Sequence, residues 1–343
     1  MKINQMSIEG GYHKYEEVTF MRGFSITTIV LYHLINTIIK NLPEKIYQAA
    51  EFGSTGVHVF FFCSGLGLYL SYLNKKTNFR EFIKKRAMHI YLPYALAVLL
   101  YFFIPVVRYN GNRIGALCSH LFLYKMFIPY YECSLSEHFW FISTLIQFYL
   151  LFIPLCKLKE KYGDRVFALL SLGISLIWWI AMAVTGLHYE RVLGSCFLQF
   201  LWEFCLGMII AHRLKKCTTI EISNLYLLAV AVIGIGVFGF LGIKGGWANS
   251  FNDIPGLFGY GALVLLVYQI KPLRRIGTWL GKISYEWYLL HVLVFLITFS
   301  FLQGWSAAVT GLVLSIGVAF VYHEAIVAFR KKQLDKVEIS KLS

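Results

Sequence analysis

Residues 138–186 read HFWFISTLIQFYLLFIPLCKLKEKYGDRVFALLSLGISLIWWIAMAVTG, and they decide the fold class. Two unbroken apolar runs, 138–156 and 166–186, flank a polar stretch that holds Lys157, Lys159, Lys161 and Arg165. Each run is about as long as the roughly 20 residues a helix needs to cross a hydrocarbon core of about 30 Å. The apolar residues are continuous rather than alternating, which argues against the strands of a membrane barrel. The same pattern recurs in both directions, with spans expected near 24–41, 53–73, 90–107, 194–212, 222–242, 254–270, 284–302 and 305–328. The expectation is an all-α, polytopic helical bundle of about ten transmembrane helices. Composition agrees. Of the 343 residues 58% are hydrophobic and only 15% charged, against about 25% charged in soluble domains.

The net charge of +14 would suit a nucleic-acid partner, but its distribution points to the membrane. With the N-terminus placed inside, the expected loops hold 25 of the 32 Lys and Arg residues on that side and 7 on the other. Such an asymmetry orients a membrane protein with both termini cytoplasmic and sets its basic loops against anionic lipid. Residues 115–131 (GALCSHLFLYKMFIPYY) are apolar yet contain Lys125 and Pro129. Counting them as a span would invert every later loop, so they are expected to be interfacial or re-entrant on the outer face. The organisation that follows is a cytoplasmic segment at 1–20, a transmembrane domain at 21–330 and a cytoplasmic tail at 331–343. The polar first segment makes the first span an expected uncleaved anchor. The seven Cys residues have no metal-type spacing. Cys118 and Cys133 share one loop, which leaves a pairing open.

Chemistry-bearing residues inside the spans are few. Arg22 opens the first span and His33 follows eleven residues later, about 16 Å along a helix and on nearly the same face. An imidazole at mid-membrane is costly and is a functional candidate by default; its ordinary pKa suits a general base. A structural histidine bonded to a neighbouring helix is the plain alternative. In the second span, GSTGVHVFFFCSGLGLYLS, Ser64, Gly65 and Gly67 permit close helix packing or leave room for a ligand. The most basic loop, NKKTNFREFIKKRAMHIYLPY, brings Lys84, Lys85, Arg86 and His89 to the start of the third span. Such a loop anchors topology, and its guanidinium also suits phosphate. Glu203, Glu286, His291, His323 and Glu324 are further intramembrane ionisable groups, and Glu137–His138 precede Trp140 at the aromatic belt.

Five stretches in order resemble the signatures of the acyltransferase-3 family of bacterial membrane O-acyltransferases. They are Arg22–Gly23 with His33, GVHVFFFCSG at 56–65, Lys84–Lys85–Arg86 with Pro93–Tyr94, WFISTLIQFYLLFIP at 140–154, and Gly281–Ser284–Tyr285 running into YLLH at 288–291. The resemblance spans roughly residues 20–328. It implies transfer of an acyl group, most often acetyl, from cytoplasmic acyl-coenzyme A to a hydroxyl of an extracytoplasmic or lipid-linked glycan, in a bacterial cytoplasmic membrane and without a metal. His33 would be the catalytic histidine, as base or as transient acyl carrier, and Arg22 its paired arginine. Arg86, with Lys85, His89 and Ser64 around it, would bind coenzyme A. Trp140, Tyr149, Glu203, Ser284, Tyr285 and His291 would support the site. The sequence departs from the pattern at His89, where a second arginine is usual, at Leu145, where many members carry glutamate, and at His58, where an acid is common. The implied partners are membrane lipid, the coenzyme A thioester, a glycan acceptor and, in some members, an extracytoplasmic partner that receives the acyl group.

The rival from another class is a multi-pass transporter or flippase of a lipid-linked sugar. Transporters carry helices broken at matching positions in two repeats. Here the seven Pro residues cluster at span ends and pair no such breaks.

Overall fold

A computed structural model of the chain describes residues 2–4, 8–9, 12–13, 15–39, 42–216 and 219–342. Lys14, Lys40 and Cys217, counted above, lie outside the described residues. Helix α1 (Glu16–His33) runs on through one π turn, and α2 (Glu44–Glu51) leads into α3 (Gly56–Asn74). A second π turn joins α4 (Phe79–Arg86) to α5 (Leu92–Phe103), and a nine-residue α6 (Arg113–Leu121) follows. Then come α7 (Trp140–Thr185), α8 (Arg191–Gly194), α9 (Phe197–Lys216) and α10 (Asn224–Lys244). The bundle closes with α11 (Asp253–Tyr268), α12 (Lys271–Lys282), α13 (Ser284–Phe301) and α14 (Gly304–Leu342). Two short antiparallel strand pairs, Lys2–Asn4 with Thr219–Glu221 and Ile8–Glu9 with Tyr12–His13, are the only sheet among the described residues.

Eight helical segments among the described residues are long and apolar enough to cross a membrane, and the pair α11–α12, bent by 117°, makes a ninth when counted as one broken span. Helix α7, with 46 residues, would extend about 69 Å if straight, far more than one crossing. It is not straight. Gly163 sits at φ 72°, ψ 176°, a left-handed conformation that glycine adopts without strain. Both arms return along α9: Thr144 Oγ1 donates to Ser195 O at 2.5 Å, while Ser175 Oγ and Trp179 Nε1 donate to Leu198 O and Gln199 O. At the tip, Asp164 accepts from Lys159 Nζ at 2.5 Å and pairs with His212. With this hairpin taken as two passes the count reaches ten, as the apolar runs predict.

The basic stretches that the charge count put on one side do meet on one face. Lys76 pairs with Glu160 at 2.8 Å, Lys215 donates to Asn74, and Arg330 donates to His89 O. Thr278 donates to Glu16, and the strand at Lys2–Asn4 pairs beside the α9–α10 connection. The opposite face carries the α5–α7 loop, where Glu137 pairs with Arg191 at 2.5 Å.

One expectation needs adjusting. The first helix starts at Glu16, well before the apolar run: Glu16 and Glu17 favour a helix N-terminus, and Phe20 and Met21 are buried against α11. As expected, residues 115–131 do not cross: they form α6 and single 3₁₀ turns. Cys118 and Cys133 are free thiols.

The most extensive seam joins α3 to α9. A Cβ on Gly65 would stand 2.0 Å from Phe204 O, and one on Gly207 would stand 2.1 Å from Phe62 O. Each helix therefore seats its backbone in the other's glycine notch. Gly67 plays no such part, since nothing lies within 4 Å of its added Cβ. It faces a cavity instead.

Candidate active site

Two cavities enter the bundle from opposite faces. The first, about 390 Å³, opens beside the basic loops. Five cationic or titratable side chains, Arg22, Arg86, His89, Lys282 and Arg330, line it together with Ser64, Gly67, Tyr149, Ser284 and Tyr285. The one carboxylate in its lining, Glu286, already pairs with His323 at 3.2 Å. Arg86 Nε and Arg330 Nε are buried donors with no partner among the described residues. Unused guanidinium donors in a cationic recess favour a multiply charged anion such as phosphate.

The second cavity, about 480 Å³, opens on the other face and is lined by His33, His58, Trp140, Arg191, Gln199 and Asp253. Ile29 and Val57 line both cavities. These two apolar side chains, from α1 and α3, form the threshold between them. Arg22 stands two turns before Ile29, and His33 one turn beyond it. The same helix stripe that the sequence singles out thus runs from one cavity to the other.

Behind His33 lie two more imidazoles. The ring centroids of His33, His138 and His291 are 5.0–5.9 Å apart. His291 Nδ1 donates to Tyr288 O at 2.8 Å and to Trp287 O, and a backbone carbonyl can only accept, so this tautomer is fixed. His138 Nδ1 sits 2.5 Å from Ser136 Oγ, and the Tyr288 hydroxyl donates to His138 O. The Nε2 atoms of both are buried and unpartnered among the described residues. The packing is polar, tightly held and short of proton donors.

A third cluster joins three helices. His58 Nδ1 lies 2.7 Å from Glu203 Oε1, His58 Nε2 lies 3.9 Å from Asp253 Oδ1, and Gln199 Nε2 donates to Asp253 Oδ2 at 2.7 Å. One ligand-type atom from each of His58, Glu203 and Asp253 falls within 4.8 Å of the others, the donor set a divalent cation would take.

The structure brings Arg22, Arg86, His89, Ser64, Tyr149, Ser284 and Tyr285 together around the first cavity. It places His33 and Trp140 in the second and buries Glu203 and His291 behind them. Lys85 is exposed and lines neither cavity, because it falls on the outward face of α4. Lys282, Arg330, Arg191 and Asp253 were not singled out by sequence. Arg330 closes the expected transmembrane domain, and Asp253 falls just before the span expected at 254–270.

A membrane-spanning bundle with an anion-ready recess on one face and a histidine-lined recess on the other has the form of a membrane-embedded transferase. Comparison with known proteins makes this specific: residues 15–324 match the family model of the acyltransferase-3 group, described as an acyltransferase domain, and the chain belongs to that family. It is 26% identical over 330 residues to the protein of Acidianus two-tailed virus named "Putative acetyltransferase ORF330", covering 93% of this chain and 92% of that one. No solved structure matches the chain. The protein is an acyltransferase, which sets the transporter reading aside.

Proposed function

We propose that this protein is a multi-pass O-acyltransferase of the cytoplasmic membrane. It would move an acyl group, acetyl first among them, from cytoplasmic acyl-coenzyme A to a hydroxyl of an extracytoplasmic or lipid-linked glycan. The observation that carries the proposal is the shared threshold at Ile29 and Val57, with Arg22 in one cavity and His33 in the other. The basic face is taken as cytoplasmic by the positive-inside rule, which puts both termini and the soluble donor on that side.

Coenzyme A phosphates would be held by Arg22, Arg86 and Arg330, with His89 and Lys282 beside them. The pantetheine arm would run past Ser64 and the open side of Gly67, bringing the thioester carbonyl to the threshold. His33 then stands one turn beyond as general base for the attacking hydroxyl or as transient acyl carrier. General-base help contributes about 10²–10⁴-fold, and holding the carbonyl and hydroxyl together contributes more. The viral relative's name supports acetyl as the group moved.

The test uses purified full-length protein and [¹⁴C]acetyl-coenzyme A, following acetate released or transferred. His33→Ala should lower turnover at least 100-fold while leaving coenzyme A binding intact, because His33 lies in the other cavity. Arg86→Ala should weaken coenzyme A binding about tenfold or more. Unchanged turnover in His33→Ala would sink the catalytic assignment. Label recovered on the protein and lost in His33→Ala would mark the acyl-carrier route.

A further inference from the structure

We infer that the His33 cavity contains a second catalytic histidine, His58, which removes the proton from the acceptor hydroxyl, leaving His33 the acyl-carrier role of the two given above, with Glu203 positioning the His58 ring and Asp253 binding a neighbouring hydroxyl. The inference rests on the acyl-transfer reading above and extends it to the acceptor side.

The arrangement starts from three helices that meet at one level. His58 lies in the first turn of α3, Glu203 in the middle of α9 and Asp253 at the start of α11. Glu203 is wholly buried and does not line the cavity, while His58 and Asp253 do. With Glu203 ionised, as the inference requires, it can only accept, and the 2.7 Å contact has Nδ1–H of His58 donating to it. That contact fixes the tautomer and leaves the Nε2 lone pair for a substrate proton. A shielded carboxylate orienting an exposed imidazole is the logic by which triads hold a general base.

Asp253 defines what the base faces. Its Oδ2 is engaged by Gln199, and its Oδ1 stands 3.9 Å from His58 Nε2. That gap is too wide for a direct hydrogen bond, yet an oxygen about 2.8 Å from each atom fits between them. Two acceptors at this separation also suit two adjacent hydroxyls, one on each. The acceptor class favoured is therefore a vicinal diol, as in a sugar ring. His58 adjoins Val57 in sequence, and His33 is one turn beyond Ile29, so a carbonyl at the threshold meets a histidine from either side.

The step balances as follows. The hydroxyl proton passes to His58 Nε2, and the resulting imidazolium is stabilised by Glu203. Coenzyme A thiolate has by then left, its C–S bond broken as the acyl group formed a C–N bond to His33. The hydroxyl oxygen forms a C–O bond to the acyl carbon, and the C–N bond breaks to free His33. His58 then returns its proton to water in the cavity.

Purified full-length protein with [¹⁴C]acetyl-coenzyme A tests this, water taking the acceptor's place and methyl mannoside, which carries a vicinal diol, serving as a second acceptor. His58→Gln should lower kcat for acetate release about 100-fold or more with KM for acetyl-coenzyme A unchanged. Glu203→Gln should lower kcat at least tenfold, again at constant KM, and Glu203→Asp should recover part of the loss. Coenzyme A binding by calorimetry identifies folded variants; should His58→Gln fail to fold, Glu203→Gln carries the same test. Wild-type kcat in both His58→Gln and Glu203→Gln, with His33→Ala inactive, would overturn this inference and leave the acyltransferase reading standing. So would one equivalent of a divalent metal retained by the purified protein and lost in Glu203→Gln. A wild-type protein that neither binds nor consumes acetyl-coenzyme A would remove the acyl-transfer reading and this inference with it.

Discussion

Lys125 places an ammonium at a wholly buried position in the loop between α5 and α7, where its Nζ donates to Ser136 O at 2.8 Å. Burial first, and the nearby Arg191 guanidinium second, push its pKa down to about 7. The unfolded chain has the ordinary value near 10.4, so between about pH 7 and 10 it binds more protons than the folded one. Stability should rise with pH across that window, by up to about 1.4 kcal/mol per unit, and be flat in this term below it. Lys125→Met should flatten the rise and melt higher than wild type at pH 7 in detergent; identical slopes in thermal melts would contradict this. The sequence marked Lys125 as out of place in an apolar stretch, but its partner is a backbone carbonyl that no pattern announces. The Arg22–His33 relation was legible because helix geometry alone relates residues eleven apart. The His58–Glu203–Asp253 cluster was not, since its members come from three helices and the first pair is 145 residues apart. Glu203 at mid-membrane and the unusual His58 hinted at it, but not at each other.

At the scale of elements, α3 poses a test within one turn. Gly65 meets the backbone of α9 and Gly67 meets open space. Gly65→Leu should force the α3–α9 seam apart and cost several kcal/mol, as overpacking against an unyielding backbone does; little monodisperse protein should appear on size exclusion. Gly67→Leu should fold and melt like wild type but fill the basic cavity, weakening coenzyme A binding at least tenfold by calorimetry. Equal folding of both variants would show that the seam is softer than its distances imply. Sequence exposed the small residues without separating these roles, because both readings share one composition. The spans themselves were legible: continuous apolar runs have no alternative in a bilayer, and the basic stretch at 157–165 marks the turn of α7. The early start of α1 was hidden, since Glu16 to Phe20 gain their helical partners from α11 and α12.

For the whole molecule, charge asymmetry identified which loops share a face, and their mutual hydrogen bonds bear that out; the meeting of two cavities was beyond it. A cavity is what packed helices leave unfilled, and no single segment encodes it. The consequence is testable at the threshold. Val57 borders both cavities from α3 and is only partly buried. A Trp there would extend into the passage without touching the cationic residues that hold phosphate. Val57→Trp should therefore bind coenzyme A with wild-type affinity, melt within a few degrees of wild type and turn over acetyl-coenzyme A at least 100-fold more slowly. His33→Ala removes the chemistry but leaves the path open, so adding it to Val57→Trp should cost little more: the two losses should fall far short of multiplying, as expected when either change blocks the same step. Wild-type turnover in Val57→Trp would mean that the acyl group does not pass between Ile29 and Val57, and the donor would have to reach its acceptor by another route.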